Sequence, residues 1–458
     1  MARIFGYRAA LRGAALSIAA VLASGGAIAA QDPSPTLKQL LFPQSAVTPV
    51  KGTVQELGSR LFNDQTLSLN SNQACESCHN ASYARHPVTG KRITVAKGFV
   101  DNDNIENGTA VSDGSVPGLF GSLNAPMVVY AAFSPAFHWD EEEGLYIGGQ
   151  FWNGRASNLA EQAAQPFLNP VEMAMPSKWA VVTRLKQKPR YINDFKKFFG
   201  IDLRKIASNE LAPASAAAPP LVDVAYAAMT DAIASFEKLR MFTKFNSKFD
   251  FVLAGYTSFT PLEAEGEQIF NGKAMCNACH ISDPDVAPDG SLMPPMFTDF
   301  TYDNIGVPRN VNIPGDPAPN LGLGGRADVA AADPNGDEIG KHKVMTLRNI
   351  AVTAPYAHNG AFRTLEQITH FYNTRDVLGH VADVNDPGFG VTGWPDPEVL
   401  PNVNHDELGD LGLTPHEEAA VVAFMRTLTD DYDQWGKDPK VPKGMLSPFA
   451  TTPFPAFP

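Results

Sequence analysis

Ala274-Met-Cys276-Asn-Ala-Cys279-His280 and its earlier counterpart Ala74-Cys75-Glu-Ser-Cys78-His79 decide how this chain folds. Each contains Cys-x-x-Cys-His, the pattern for covalent attachment of a c-type haem. Two thiols at this spacing reach the two vinyl groups on one edge of a porphyrin. The histidine that follows sits under the iron and supplies an axial nitrogen. The chain has four cysteines and the two motifs use all of them, which leaves none for a disulfide framework. A four-cysteine zinc site would not require a histidine directly after each pair. A redox dithiol would not come twice, and its strand-helix setting is missing. The sequence therefore predicts two covalently bound haem c groups.

Working outward, the chain repeats itself. Gly58-x-x-Leu61-Phe62-Asn63 precedes the first motif and Gly266-x-x-Ile269-Phe270-Asn271 precedes the second. Both read as a helix that delivers an aromatic residue to the haem before the attachment loop. Thr260-Pro261-Leu-Glu263 and Thr414-Pro415-His-Glu417 each combine an N-cap, a first-turn proline and a capping-box glutamate. In the last helix Val421, Val422, Phe424, Met425 and Leu428 recur at helical spacing. Ala207–Pro220 reads as an exposed loop, 221–242 as a long helix, and the proline-rich tail after Tyr432 as a surface wrap. Few period-2 runs occur. The expected class is mainly α, with two cytochrome c-like haem lobes packed together.

The 458 residues are 44% hydrophobic, enough for two or three cores, and 37 prolines and 37 glycines imply many loops. Residues 1–29 read as a secretory signal: Arg3, Arg8 and Arg12, an apolar stretch from Leu11 to Ile28, and an Ala27-Ile28-Ala29 cleavage site. Removing those three arginines takes the net charge from −13 to −16. Such a chain is a poor nucleic-acid binder. No later segment is apolar enough to span a membrane. The predicted organisation is a signal peptide (1–29), an N-terminal haem domain (30–256) and a C-terminal haem domain (257–458), in the periplasm.

A haem whose second axial face is filled makes an electron carrier, and an open one makes an enzyme. Thr364-Leu-Glu-Gln367 reads as a capping box opening a helix through His370 and Tyr372. Leu365, Ile368 and Tyr372 share one face of that helix, with His370 well away from it. Tyr372 is then either a core tyrosine or an iron ligand. Most other histidines, among them His86, His138, His342, His380, His405 and His416, read as surface residues.

Gln150-Phe-Trp152-Asn-Gly-Arg155-Ala, then Glu161-Gln162-Ala, Pro166 and Glu172-Met173, resembles the bacterial dihaem cytochrome c peroxidases. So does Leu347-Arg348-Asn-Ile-Ala-Val-Thr353-Ala-Pro355-Tyr-Ala-His358-Asn-Gly360. The likeness runs from about Leu57 to about Thr429. It implies a peroxidatic haem on Cys75, Cys78 and His79, with Glu172 as distal acid/base, Gln162 beside it and Pro166 over the same face. Trp152 would lie between the haems. A calcium ion would be held by Asn124 and the carbonyls of Thr353 and Pro355. The haem on Cys276, Cys279 and His280 would transfer electrons with Tyr372 as sixth ligand, where other members carry methionine. That tyrosine places the chain nearer the MauG-like branch.

Two features depart from the methionine-ligated peroxidases. The loop after His79 lacks their dissociable histidine ligand; His86 is the one nearby candidate. Phe133–Gly149 is longer than the family pattern and carries His138, Trp139 and four acids from Asp140 to Glu143; it either shapes partner docking or is a solvated insertion, and the second reading is the simpler. The resemblance implies hydrogen peroxide reduction through high-valent haem. Electrons would come from a small redox protein, a cytochrome c or cupredoxin, or from a protein substrate oxidised in place. The competing class is a non-enzymatic dihaem electron-transfer cytochrome.

Overall fold

Two helix crossings, each built on a glycine, set the frame. A computed structural model describes residues 49–80, 84, 85, 89, 91–93, 99–286, 292–445 and 447–449. The expected signal at 1–29 and His86 lie outside the described residues. Helices α1 (Val54–Phe62), α2 (Leu159–Leu168) and α3 (Pro220–Glu237) organise the first half. Helices α4 (Pro261–Asn271), α5 (Leu365–Thr374) and α6 (Pro415–Arg426) organise the second. A Cβ on Gly58 would lie 1.9 Å from the Ala232 carbonyl oxygen, and one on Gly266 would lie 1.9 Å from that of Ala420. Phe236 and Phe424 hold matching places, each 2.9 Å from that position. The repeated glycines therefore let α1 cross α3, and α4 cross α6, at backbone distance.

The caps follow the local sequence. Thr260 and Thr414 form capping boxes with Glu263 and Glu417. Thr364 caps α5 through Gln367 N–H, but the Gln367 side chain accepts from Arg363 N–H instead of closing the box. The helix expected over 221–242 runs from Pro220 to Glu237. A 3₁₀ turn at Arg240–Phe242 follows it and brings the Phe242 ring back to 5.0 Å from Phe236. Every sheet among the described residues has two short strands, so the class is mainly α.

Two apolar cores result. One gathers Leu57, Phe62, Phe167, Phe195, Phe236 and Phe242; the other gathers Phe249, Phe270, Phe297, Phe362, Phe371 and Phe424. A buried polar network joins them. Arg348 forks onto Asp250 at 3.0 and 3.1 Å, both fully buried, and lies 4.4 Å over the Phe245 ring. Breaking such a pair from one side costs about 3–5 kcal/mol, because the remaining charge is left uncompensated. Tyr130 donates to Asp430 at 2.9 Å, and Asn349 donates to the same carboxylate at 2.8 Å. The tail returns across this junction: Phe449 packs on the first core and Ser447 donates to Phe245 O. No helix among the described residues is long and apolar enough to cross a membrane.

Candidate active site

Each Cys-x-x-Cys-His motif opens on its own cavity. Cys75, Cys78 and His79 line the first; Cys276, Cys279 and His280 line the second. None of the four cysteines is in a disulfide. Burial pushes the Cys78 and Cys276 thiols up to about 12 and drives both histidines down to about 4, so the imidazoles are neutral. His280 Nδ1 faces Phe297 O at 2.9 Å, and His79 Nδ1 faces Phe99 O at 3.4 Å. With Nδ1 donating to a carbonyl, each Nε2 is left as an acceptor, the form a metal takes. The donor set and the cavities fit two covalently attached haems.

The first cavity is walled by α2 and the turn after it. Asn158 caps α2, which places Gln162 and Pro166 one turn apart on its cavity face. Proline has no N–H to give the preceding turn. The end of α2 is held instead by the next segment: Met173 N–H donates to Pro166 O and Met175 N–H to Phe167 O. That segment carries Glu172, whose Oε1 accepts from the Asn169 amide at 2.7 Å. Burial raises the Glu172 pKa, opposed by the Arg155 charge and the Asn169 hydrogen bond. Arg155 is held by Gln165 at 2.9 Å and by the Phe151 ring at 3.4 Å.

A shared wall separates the cavities. Trp152, Asn124, Pro126, Met127 and Lys343 line both. Trp152 Nε1 donates to Asn124 O at 2.9 Å, and its carbonyl accepts from Lys343 N–H at 2.7 Å. Asn124 N–H donates to His358 O, which ties this wall to the 353–358 segment. The Asn124 amide nitrogen donates to Ala110 O at 3.0 Å. Thr353 and Pro355 share the second cavity with Asn124.

In the second cavity Leu365, Ile368, Thr369 and Tyr372 face inward from α5. His370 points elsewhere and pairs with Glu418 at 2.8 Å. Burial raises the Tyr372 phenol far above its ordinary range, with the Cys279 and Asp303 charges adding to it. The cavity at His79 holds about 400 Å³ against about 210 Å³ at His280. His342, expected at the surface, is half-buried in this wall and stacks on His358 with ring centres 3.6 Å apart.

Three groups escaped the sequence reading. Lys343 is buried beside Trp152, and burial takes it down to about 7. Arg155 lies in the Gln150–Ala156 motif, but only the fold brings its charge to bear on Glu172. Glu237 lines the first cavity at 5% exposure; its Oε2 has no hydrogen-bond partner among the described residues, and burial pushes its pKa up to about 8. The internal repeat could have found it: aligning Phe236 with Phe424 puts Glu237 opposite Met425, which lines the second cavity.

Fold and site together define a c-type oxidoreductase with two haem attachment sites across one tryptophan wall. The profile described as Di-haem cytochrome c peroxidase matches residues 53–258. Methylamine utilization protein MauG of Paracoccus denitrificans is 36% identical over 404 residues, covering 85% of this chain and 94% of its own. Cytochrome c551 peroxidase of Nitrosomonas europaea is 30% identical, covering 91% and 90%. Among solved structures, the diheme peroxidase BthA from Burkholderia thailandensis superposes with a TM-score of 0.65 at 27% identity, over 84% of this chain and 88% of that one. The chain belongs to the di-haem cytochrome c peroxidase and MauG family.

Proposed function

We propose that this protein reduces hydrogen peroxide at the haem on His79, with electrons delivered through the haem on His280 from a redox protein or a protein substrate. The asymmetry of the two cavities carries the reading. Glu172, Gln162 and Pro166 face the first, larger cavity, whereas Tyr372 enters the second. The haem irons, when bound, supply the redox chemistry and the Lewis acid for peroxide. Glu172 takes a proton from one peroxide oxygen and returns it to the other. Its raised pKa holds it closer to the working pH than an ordinary glutamate. The Gln162 amide orients the peroxide, and the Arg155 charge keeps Glu172 from rising further.

In this reading Tyr372 would hold the iron of the second haem through its phenolic oxygen; without it, burial keeps the phenol protonated. Calcium belongs to the same proposal, on the Asn124 side-chain oxygen and the carbonyls of Thr353 and Pro355, with water filling its shell. A domain division at residues 256/257 belongs to the same proposal; the two cores are separate, with Phe249 before that point packing in the second and Phe449 after it in the first. The basic and A-x-A features of residues 1–29 support the periplasm. The test is Glu172→Gln, which should keep both haems and lose about 10²–10⁴-fold in peroxide turnover. Rapid mixing with peroxide, followed at the Soret band, reads it. Unchanged reactivity would sink the assignment and favour an electron-transfer cytochrome.

A further inference from the structure

The insertion at Phe133–Gly149 is not a loose solvated loop. It forms an antiparallel hairpin, β1 (His138–Asp140) on β2 (Leu145–Ile147), with Trp139 directly opposite Tyr146. The Trp139 ring is 41% exposed and stands 4.9 Å from the Tyr146 ring. Tyr146 stacks on Phe137 at 5.2 Å and 7°, and Phe137 meets the buried Tyr302 edge-on at 6.1 Å. The Tyr302 hydroxyl sits against Gly154, where a Cβ would be 2.3 Å away, two residues beyond Trp152. Tyr302 lies on β3 (Tyr302–Asp303), paired with Lys343 on β4 (His342–Lys343), and Lys343 N–H donates to Trp152 O. Arg326 clamps the junction: its guanidinium lies 3.7 Å over Phe137 and donates to Gly154 O. An aromatic ladder thus runs from the surface to the wall between the cavities.

The rim of Trp139 is acidic on the hairpin itself. Glu141 and Glu142 are exposed on the hairpin turn, with Asp140 and Glu143 half-exposed beside them. The acids across from Tyr146 are already engaged: Asp328 pairs with Arg326, the buried Glu338 with Lys341, and Asp333 accepts the N–H groups of Asp337 and Glu338, so the free negative charge beside Trp139 is that of the hairpin. An aromatic anchor inside a charged rim is the composition of a protein-docking centre, and its sign selects a partner of opposite charge.

We propose that the face around Trp139 docks a redox protein with a basic patch around its own redox centre, and that Trp139, Tyr146, Phe137 and Tyr302 conduct the electron inward to Trp152. This rests on the peroxidase reading and names the partner class for it. Each transfer oxidises the partner's redox centre by one electron and reduces the haem pair by one. Two transfers, with two protons from solvent, take one hydrogen peroxide to two waters. The Tyr302 phenol keeps its proton, because it donates to Gly148 O, a carbonyl that cannot take one.

The test compares holoenzyme, Trp139→Ala and the pair Glu141→Gln with Glu142→Gln. A reduced basic monohaem cytochrome c serves as protein donor, and tetramethyl-p-phenylenediamine as small uncharged donor. Trp139→Ala should slow cytochrome oxidation about tenfold or more, the size of an anchor loss, while small-donor turnover is kept. The double variant should weaken cytochrome binding, read by calorimetry, and flatten its salt dependence. Unchanged cytochrome affinity, turnover and salt slope in both variants would overturn the proposal. So would loss of a self-associated dimer in Trp139→Ala with donor binding unchanged. If the parent turns over peroxide with neither donor, the peroxidase reading fails; the calorimetric comparison still decides the docking face.

Discussion

Replacing Glu237 by glutamine should stabilise the protein by an amount that grows with pH. The side chain is 5% exposed, Oε2 has no partner among the described residues, and burial alone raises its pKa from 4.5 to about 8. Below pH 4.5 the folded and unfolded chains both hold the proton. Between 4.5 and 8 the unfolded chain releases it while the fold keeps it, so stability falls as pH rises. Above 8 both forms are ionised and the loss is complete. The slope is about 1.4 kcal/mol per pH unit, so from pH 5 to pH 8 the parent loses about 4 kcal/mol through this group. Glutamine keeps the shape and never ionises, which removes that slope. Urea unfolding of the parent and Glu237→Gln holoproteins at several values between pH 5 and pH 8 gives the difference from midpoints and slopes. Infrared difference spectra should show a protonated carboxyl at pH 7 in the parent that the variant lacks. Parallel stability curves would refute the reasoning, because they would mean that Glu237 titrates as an ordinary glutamate.

Tyr372→Phe should convert the His280 haem from its low-spin ferric signal to another spin state; an unchanged EPR spectrum would remove Tyr372 as ligand. Resting parent protein should show one high-spin and one low-spin haem by the same measurement. Prolonged chelation should slow electron exchange between the haems and release one calcium per chain by elemental analysis; intact kinetics with no calcium found would dismiss the site. If Glu172 is the proton acceptor proposed above, the acid limb of the kcat/KM profile for peroxide should lie above the ordinary glutamate range, because burial raises its pKa. A limb at or below that range would assign it to another group.

How much of this was legible in the sequence depended on how local the physics was. The capping boxes at Thr260 and Thr414 could be read directly, because a cap is decided within four residues. The α5 face was legible too: Tyr372 enters the cavity and His370 does not, as helical geometry requires. Gly58 and Gly266 were visible as a repeat, but their reason was not, since it lies in Ala232 and Ala420 on helices far along the chain. His342 was misread because its neighbours are polar and only the fold brings His358 onto its ring. Lys343 looks like any lysine until the chain buries it against Ser134 and Gly149. The acids of the 133–149 insertion suggested solvent, and the ladder inward to Tyr302 depends on a strand more than 150 residues later.

The two lobes also show where such a repeat is free to diverge. At the crossings the glycine must stay, because any Cβ would meet a carbonyl, and the phenylalanine beside it fills the core in both halves. One residue further on, the side chain faces a cavity instead of a helix, and the constraint lifts. The second lobe has Met425 there, an apolar side chain against the cavity that Tyr372 enters. The first has Glu237, an acid held neutral at pH 7 by burial, on the cavity that Glu172 and Gln162 face. The first lobe therefore places Glu172 and Glu237, both with pKa values raised by burial, on its cavity. The second places Tyr372 and Met425 on its own, together with Asp303, whose pKa burial also raises, and Glu407. The lobes differ at these cavity-facing positions, which helix packing leaves unspecified.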